Sequence, residues 1–446
     1  MALRHSELTK STTLRRAVTR WQIVGMSMNS VVGSGVYLLP GAAAAFLGPA
    51  SLWAVPLAGA AVLLLALCFA EAGSHFDEPG AGYIYTREAF GEFAGFQVGW
   101  MTWLARLASA AALWNGFVQA LTFVAPGAGE GSTRVAVIML PLTFFCMVNL
   151  VGVQYAARLE VSLTIAKILP LLFLIAVGIP AVDGTLIFPM NTPDMAGLGA
   201  ASVLLLYAYA GFENTAAAAG EFKNPKRDVP FALITVIGAV TLLYTLIQLI
   251  ALGTLPDLAM RAEGAPLADS ATIVVGVWAG LLMTVGAALS IGGSVGSTML
   301  VGPRYLYALA NSGFGPQILA RVHPRFQTPA WAIVTQAMIT ATLALSGSFV
   351  QLALLSIVAR LATYIGTAAA VPVLRRKFAV KEQTIVLPGG ATIPILALLV
   401  CVAFLASSTA EHLFAGLIAL VLGVAFYGFR RNTKIGGPKA IRCEGR

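Results

Sequence analysis

The chain has 446 residues, 58% of them apolar and only 11% charged, against roughly 25% charged residues in ordinary soluble domains. So few charges cannot cover the surface of a soluble protein of this size, and apolar runs beyond the roughly 18–20 residues of a membrane span recur throughout. The net charge of +9 does not mark a nucleic-acid partner, because the basic residues sit in short segments between the apolar runs.

The elements predicted in chain order are those of an all-α polytopic membrane protein. A porin-type barrel is excluded, since it needs short alternating segments. Residues 1–20 carry Arg4, Lys10, Arg15, Arg16 and Arg20 without an apolar core, so they read as a cytoplasmic N-terminal tail and not a cleaved signal peptide. Turn signals then divide the chain into about twelve transmembrane helices: 21–46, 50–74, 94–124, 134–152, 157–180, 197–221, 230–255, 272–302, 329–345, 349–373, 386–406 and 411–430. Segments 75–93 and 303–328 have room for short interfacial helices. Tyr305–Ala310 reads as a helical continuation stopped by Asn311-Ser312-Gly313, and Pro230 is placed in the first turn of its helix. Residues 431–446 form a basic C-terminal tail.

Of the 28 Lys and Arg residues, 23 fall on the side of both termini and only Arg134 and Arg261 on the other. The remaining three, Arg106, Lys167 and Arg360, lie within spans. This asymmetry predicts a multi-pass protein of the cytoplasmic (inner) membrane of a bacterium-like cell, with both termini cytoplasmic. The cysteines Cys68, Cys146, Cys401 and Cys443 are scattered, and neither a metal-binding spacing nor a disulfide framework emerges. No cofactor is expected.

Two spans contain weak points. The first holds Gly33-Ser34-Gly35 followed by Pro40, and each glycine weakens a helix by roughly 1 kcal/mol. The sixth holds Tyr207-Ala208-Tyr209-Ala210-Gly211-Phe212-Glu213, a glycine near an acidic residue in mid-span. Either alone can be a small-residue packing surface. Together they occupy matching places if spans 1–5 (21–180) and 6–10 (197–373) are two halves of opposite topology, with 386–430 as two peripheral helices. Paired interruptions of this kind point to a transporter binding site. Unwinding frees backbone groups that a zwitterion can satisfy, its carboxylate at a half-helix N-terminus and its ammonium on freed carbonyls.

These motifs, with Pro79-Gly80-Ala81-Gly82-Tyr83-Ile84-Tyr85, Gly220-Glu221-Phe222-Lys223-Asn224-Pro225-Lys226-Arg227-Asp228-Val229-Pro230, Pro303-Arg304-Tyr305-Leu306-Tyr307-Ala308-Leu309-Ala310, Thr328-Pro329 and Leu374-Arg375-Arg376-Lys377, run from about residue 20 to 380. The sequence thereby resembles the amino acid–polyamine–organocation permease superfamily. That resemblance implies a five-plus-five inverted-repeat fold with helices 1 and 6 broken, alternating access, and an amino acid or amine as cargo. Carried over by position, Ser34 and Gly35, with Gly33 beside them, would meet the substrate carboxylate. Carbonyls around Tyr207, Ala208 and Ala210 would take the ammonium, and Tyr207 would stand over the substrate.

Charges inside a membrane are costly and functional by default. Lys167 lies about ten residues into the fifth span, roughly 15 Å deep, where the resemblance implies a lysine in place of a sodium site. It either loads and releases a proton or holds carbonyls of the broken first span. Glu213 is expected as a gate or proton-path residue, or as an anchor for the broken backbone. Arg106 and Arg360, roughly 18 and 17 Å deep, either read a second carboxylate on the substrate or cap carbonyls and pair with Glu213. Glu71, Asp77 and Glu78 read as a gate or a solvated loop, and Ser294, Ser297 and Thr298 as lining of the cation-type site or packing.

The expected function is secondary active transport of amino acids by proton symport or exchange, neutral or acidic substrates favoured. The alternatives are an amine or polyamine permease or antiporter, disfavoured by the interior cations, and an amino acid sensor without turnover. An enzyme is not expected, because no catalytic constellation lies in or beside a span. The expected partners are a small-molecule amino acid and membrane lipid, with protons in the symport alternative.

Overall fold

Backbone that crosses a hydrocarbon layer must satisfy its own hydrogen bonds, which leaves the helix as the conformation for apolar runs of this length. The computed structural model describes residues 19–76, 81–151, 167–188, 192, 194–217, 224–311, 313–378 and 384–430, and every regular element among them is helical. The chain opens with two short helices, α1 (Arg20–Val31) and α2 (Gly35–Leu47). They are followed by α3 (Ser51–Ser74), the short α4 (Ala81–Phe90), α5 (Glu92–Leu121), α6 (Gly131–Val151) and α7 (Lys167–Ala181). A second pair of short pieces, α8 (Met195–Tyr209) and α9 (Phe212–Ala217), precedes α10 (Pro225–Thr254), α11 (Pro266–Val274) and α12 (Val277–Asn311). The described chain ends with α13 (Ala330–Ser346), α14 (Phe349–Lys377), α15 (Thr392–Ala406) and α16 (Ala410–Arg430).

Six helical stretches among the described residues are apolar and long enough to cross a membrane; α7, α8, α13 and α15 are apolar but shorter. The outward faces are greasy in a regular pattern. On α6, Leu140, Phe144, Met147 and Val151 are exposed, and on α15 Ile395, Leu399 and Val402. On α16 the series is Phe414, Leu417, Val421 and Val424. Helical spacing of large exposed apolar residues is the signature of a face turned to lipid.

The inside is built around α5, which packs along α14 and α12; α3 lies on α10, α2 on α8, and α1 on α10 and α9. These contacts bring the two short-helix pairs together at the centre. Two boundaries and one side-chain placement differ from the sequence reading. Residues 266–274 form the separate α11, because Gly276 takes φ +120 and breaks the backbone before α12. Pro225 and not Pro230 sits in the first turn of α10, so Pro230 lies inside that helix. Glu71 is neither solvated nor in a loop: it is fully buried on α3, paired with Arg375, with its Oε2 accepting from Arg375 Nη2 at 2.7 Å and Leu387 N at 3.1 Å. As expected, α12 continues through Tyr305–Ala310 and stops at Asn311, and α4 fills part of segment 75–93.

Candidate functional site

The first interruption follows from local chemistry. Val32 turns extended (φ −72°, ψ 100°) while its N–H still bonds Met28 O at 2.9 Å. Gly33 and Ser34 complete the bend, and α2 starts at Gly35. In the second, Ala210 is extended (φ −61°, ψ 136°) and Gly211 takes φ +125°, a conformation open chiefly to glycine. The two breaks fit into each other. A Cβ on Gly35 would stand 2.7 Å from Ala208 Cα, and one on Gly211 2.2 Å from Ser30 O. Each glycine seats on the other break's backbone.

Three of the four freed helix ends are met by protein groups. At the end of α1, Lys167 Nζ donates to Asn29 O at 2.6 Å. The Tyr244 hydroxyl stands 3.3 Å from Val31 O and 3.0 Å from Ala208 O, bridging the ends of α1 and α8. At the start of α9, Glu213 Oε2 accepts from Gly211 N at 3.0 Å, and Oε1 is ion-paired with Arg360. Arg360 Nη2 also donates to Ser109 Oγ at 3.2 Å, and Ser109 bonds Ser356 at 2.5 Å. The fourth end, the start of α2, differs: no side chain caps it, and the Ser34 hydroxyl there is buried beside the Tyr207 hydroxyl. An uncapped helix start with a serine hydroxyl beside it is suited to an anion.

Both breaks border one cavity of about 100 Å³. Its lining includes Asn29, Ser30, Gly33, Ser34 and Gly35 from the first break, and Tyr207, Ala208, Ala210, Gly211, Glu213 and Asn214 from the second. Arg106 and Ser109 on α5, Lys167 on α7, Gly293, Ser294 and Thr298 on α12 and Arg360 on α14 close its walls. Arg106 Nη2 donates to Asn214 Oδ1 at 3.3 Å, and its guanidinium carbon lies 5.1 Å from the Tyr305 ring centre. The Tyr207 ring meets Phe349 edge-on at 5.8 Å, and Phe349 also lines a second cavity of about 400 Å³ together with Gln119, Arg134 and Glu263. Arg106, Asn214, Arg360 and Glu213 separate the central cavity from one of about 40 Å³, lined also by Tyr83, Phe69 and Tyr364.

A polar cavity between two broken helices in an apolar protein invites comparison with known carriers. The sequence profile of amino acid permeases matches residues 18–425. The chain belongs to the amino acid permease family. The permease is 29% identical to the serine/threonine exchanger SteT of Bacillus subtilis (strain 168), over 95% of this chain and 99% of that one. It is 27% identical to the branched-chain amino acid permease BcaP of the same organism, over 95% of each chain. It is 26% identical to that organism's methylthioribose transporter, again over 95% of each chain. It is a multi-pass membrane transporter of the amino acid permease superfamily, not an enzyme.

All ten site residues singled out in the sequence of this permease border the central cavity: Gly33, Ser34, Gly35, Arg106, Lys167, Tyr207, Ala208, Ala210, Glu213 and Arg360. The non-helical stretch is 32–34, one residue earlier than the glycine–serine–glycine motif, with Gly35 already the first residue of α2. Ser294 and Thr298 border the cavity too, while their hydroxyls bond Ser290 O and Ser294 O of their own helix. Asp77, Glu78, Pro79, Gly80, the motif residues 220–223, the start of the fifth span at 157–166 and the tail beyond 430 lie outside the described residues, as does the side chain of Ser297. Asn214, Tyr244, Ser109 and Tyr305 were not foreseen. Asn214 had one signal, its place directly after Glu213; a tyrosine or serine in an apolar span reads as core.

Proposed function

We propose that the permease is a secondary active transporter that carries amino acids across the cytoplasmic membrane by alternating access, through proton symport or amino acid exchange. The observation that carries this reading is the cavity shared by both breaks, with the uncapped start of α2 and its Ser34 hydroxyl on the wall. In this reading the substrate carboxylate meets the α2 N-terminus at Gly33, Ser34 and Gly35. Its ammonium lies against carbonyls of the α1 and α8 ends, near Ala208 and Ala210, and Tyr207 covers it on the outer side. The helices form twelve spans: repeats at 21–180 and 197–373 in opposite topology, then two peripheral helices within 386–430. Both tails, 1–20 and 431–446, are cytoplasmic.

Small neutral or acidic amino acids suit the site better than basic ones, because Arg106, Lys167 and Arg360 face Glu213 alone among the cavity's carboxylates. The names of the serine/threonine exchanger and the branched-chain permease support an amino acid cargo. Lys167 holds the end of α1 through Asn29 O, so a change in its charge would act on the broken helix directly, which supports a coupling role. Arg360 and Glu213 act as a gate on the α9 side.

Uptake of radiolabelled amino acids into proteoliposomes tests this. Accumulation driven by a proton gradient, or by exchange against internal amino acid, is expected, and Lys167→Ala keeps exchange while losing pH dependence. Binding without flux would identify a sensor instead. Uptake of putrescine or methylthioribose with no amino acid flux would overturn the cargo assignment.

A further inference from the structure

We infer that Arg106 is the residue that reads the substrate side chain, and that the preferred cargo is an acidic amino acid whose second carboxylate it receives. This rests on the central cavity being the amino acid site.

The three interior cations are not equivalent. Arg360 is neutralised by Glu213 and further held by Ser109. Lys167 rests on Asn29 O at the end of α1, where the helix dipole leaves partial negative charge. Among the described residues Arg106 has neither kind of anion. It is 9% exposed, its hydrogen-bond acceptor is the neutral amide oxygen of Asn214 at 3.3 Å, and its other neighbour is the Tyr305 ring. Its Nε is buried without a partner. The same side chain borders both the central cavity and the small one beside it.

A guanidinium withdrawn from water is stable only when its donors are paired, and best when a carboxylate takes two of them at once. The α-carboxylate and α-ammonium of an amino acid cancel each other and are met at the breaks, which leaves Arg106 uncompensated. A side-chain carboxylate supplies the missing charge and a second acceptor for Nε. The Asn214 oxygen, beyond the usual hydrogen-bond length, is then a neutral placeholder that the substrate displaces. Because Asn214 and Glu213 are adjacent on α9, that displacement removes one of the two polar side-chain ties between α9 and the helices α5 and α14 among the described residues. Lysine, arginine and amines would bring like charge to the same point.

Binding to the purified full-length permease decides this, with L-aspartate, L-glutamate, L-asparagine, L-glutamine, L-serine and L-lysine as titrants. Aspartate or glutamate is expected to bind about tenfold or more tightly than its own amide, the gap between a charge-assisted and a neutral hydrogen bond, and lysine weakest. Arg106→Gln should erase the acid-over-amide preference while serine binding persists, and Arg106→Lys should keep part of it. Equal affinity for acid and amide, or lysine as the best ligand, overturns the role of Arg106. If none of the six binds, the role of Arg106 fails, and the broader reading fails with it only when the proteoliposome uptake of other amino acids fails too. Should Arg106→Gln not fold, the ranking on the unmodified protein decides by itself.

Discussion

Glu213 and Arg360 join helices far apart in sequence, and each is nearly enclosed, with side-chain exposures of 10% and 11%. Removing one partner of such a pair leaves an uncompensated buried charge, whereas removing both need cost little. Glu213→Gln is therefore expected to destabilise the protein by about 3–5 kcal/mol, and Arg360→Met added to it should restore most of that loss. Thermal unfolding in detergent, read as a double-mutant cycle, checks this; additive effects would show the two side chains to be uncoupled. The sequence placed both residues in the interior and left their pairing as one alternative, because depth along a span can be counted but the neighbouring helix cannot. The hydroxyls of Tyr244 and Ser109 were illegible for the same reason: what they do depends on which carbonyl or guanidinium another helix brings to them.

The two breaks are legible to different degrees. Gly33, Ser34 and Gly35 announce weakness together, while the second break rests on one glycine, Gly211, whose positive φ no sequence pattern prints. Their interlock changes what a substitution does. Gly35→Ala drives a methyl into Ala208 Cα at 2.7 Å, so it should cost folding stability, by about 1–3 kcal/mol for overpacking, as well as binding. Gly33→Ala meets Ser294 Oγ at 3.3 Å, a hydroxyl that can rotate away, and Val31 O at an ordinary 3.9 Å, and should leave the melting temperature nearly unchanged. Equal melting temperatures for the two variants would mean that α2 does not seat on α8 in this way.

The turn Leu258–Arg261 allows a pH test of a second element. It is packed on α2 at Gly41, and Gln119 Nε2 holds the following backbone at Ala262 O (3.0 Å) and Gly264 O (2.8 Å). Arg261 pairs with Asp257 at 3.0 Å and with Asp269 at 2.6 Å, and its hydrogen bonds hold the Asp257 carboxyl below the ordinary aspartate range. A depressed folded-state value stabilises above the ordinary value, about 3.9, and that contribution is lost as pH falls through the depressed one. Amide protection over 257–264 should hold near neutral pH and drop in acid below about pH 4. Protection that instead declines toward alkaline pH would contradict this pairing.

At the scale of the molecule, hydropathy alone predicted an all-helical membrane protein, since lipid admits little else. It did not reveal that Tyr207 meets Phe349, because that contact depends on how α8 and α14 pack and not on composition. In the alternating access proposed above, one repeat rocks against the other around a fixed site, and the interlocked breaks are that site. The proposal is therefore positional: the substrate lies between the first and second breaks. A structure of the permease saturated with the amino acid it binds best tests that claim most directly. The ligand's α-carboxylate is expected within hydrogen-bond reach of the α2 N-terminus and Ser34 Oγ, with its side chain toward Arg106. A ligand bound outside this cavity, or a first helix running unbroken through 32–34, would contradict it.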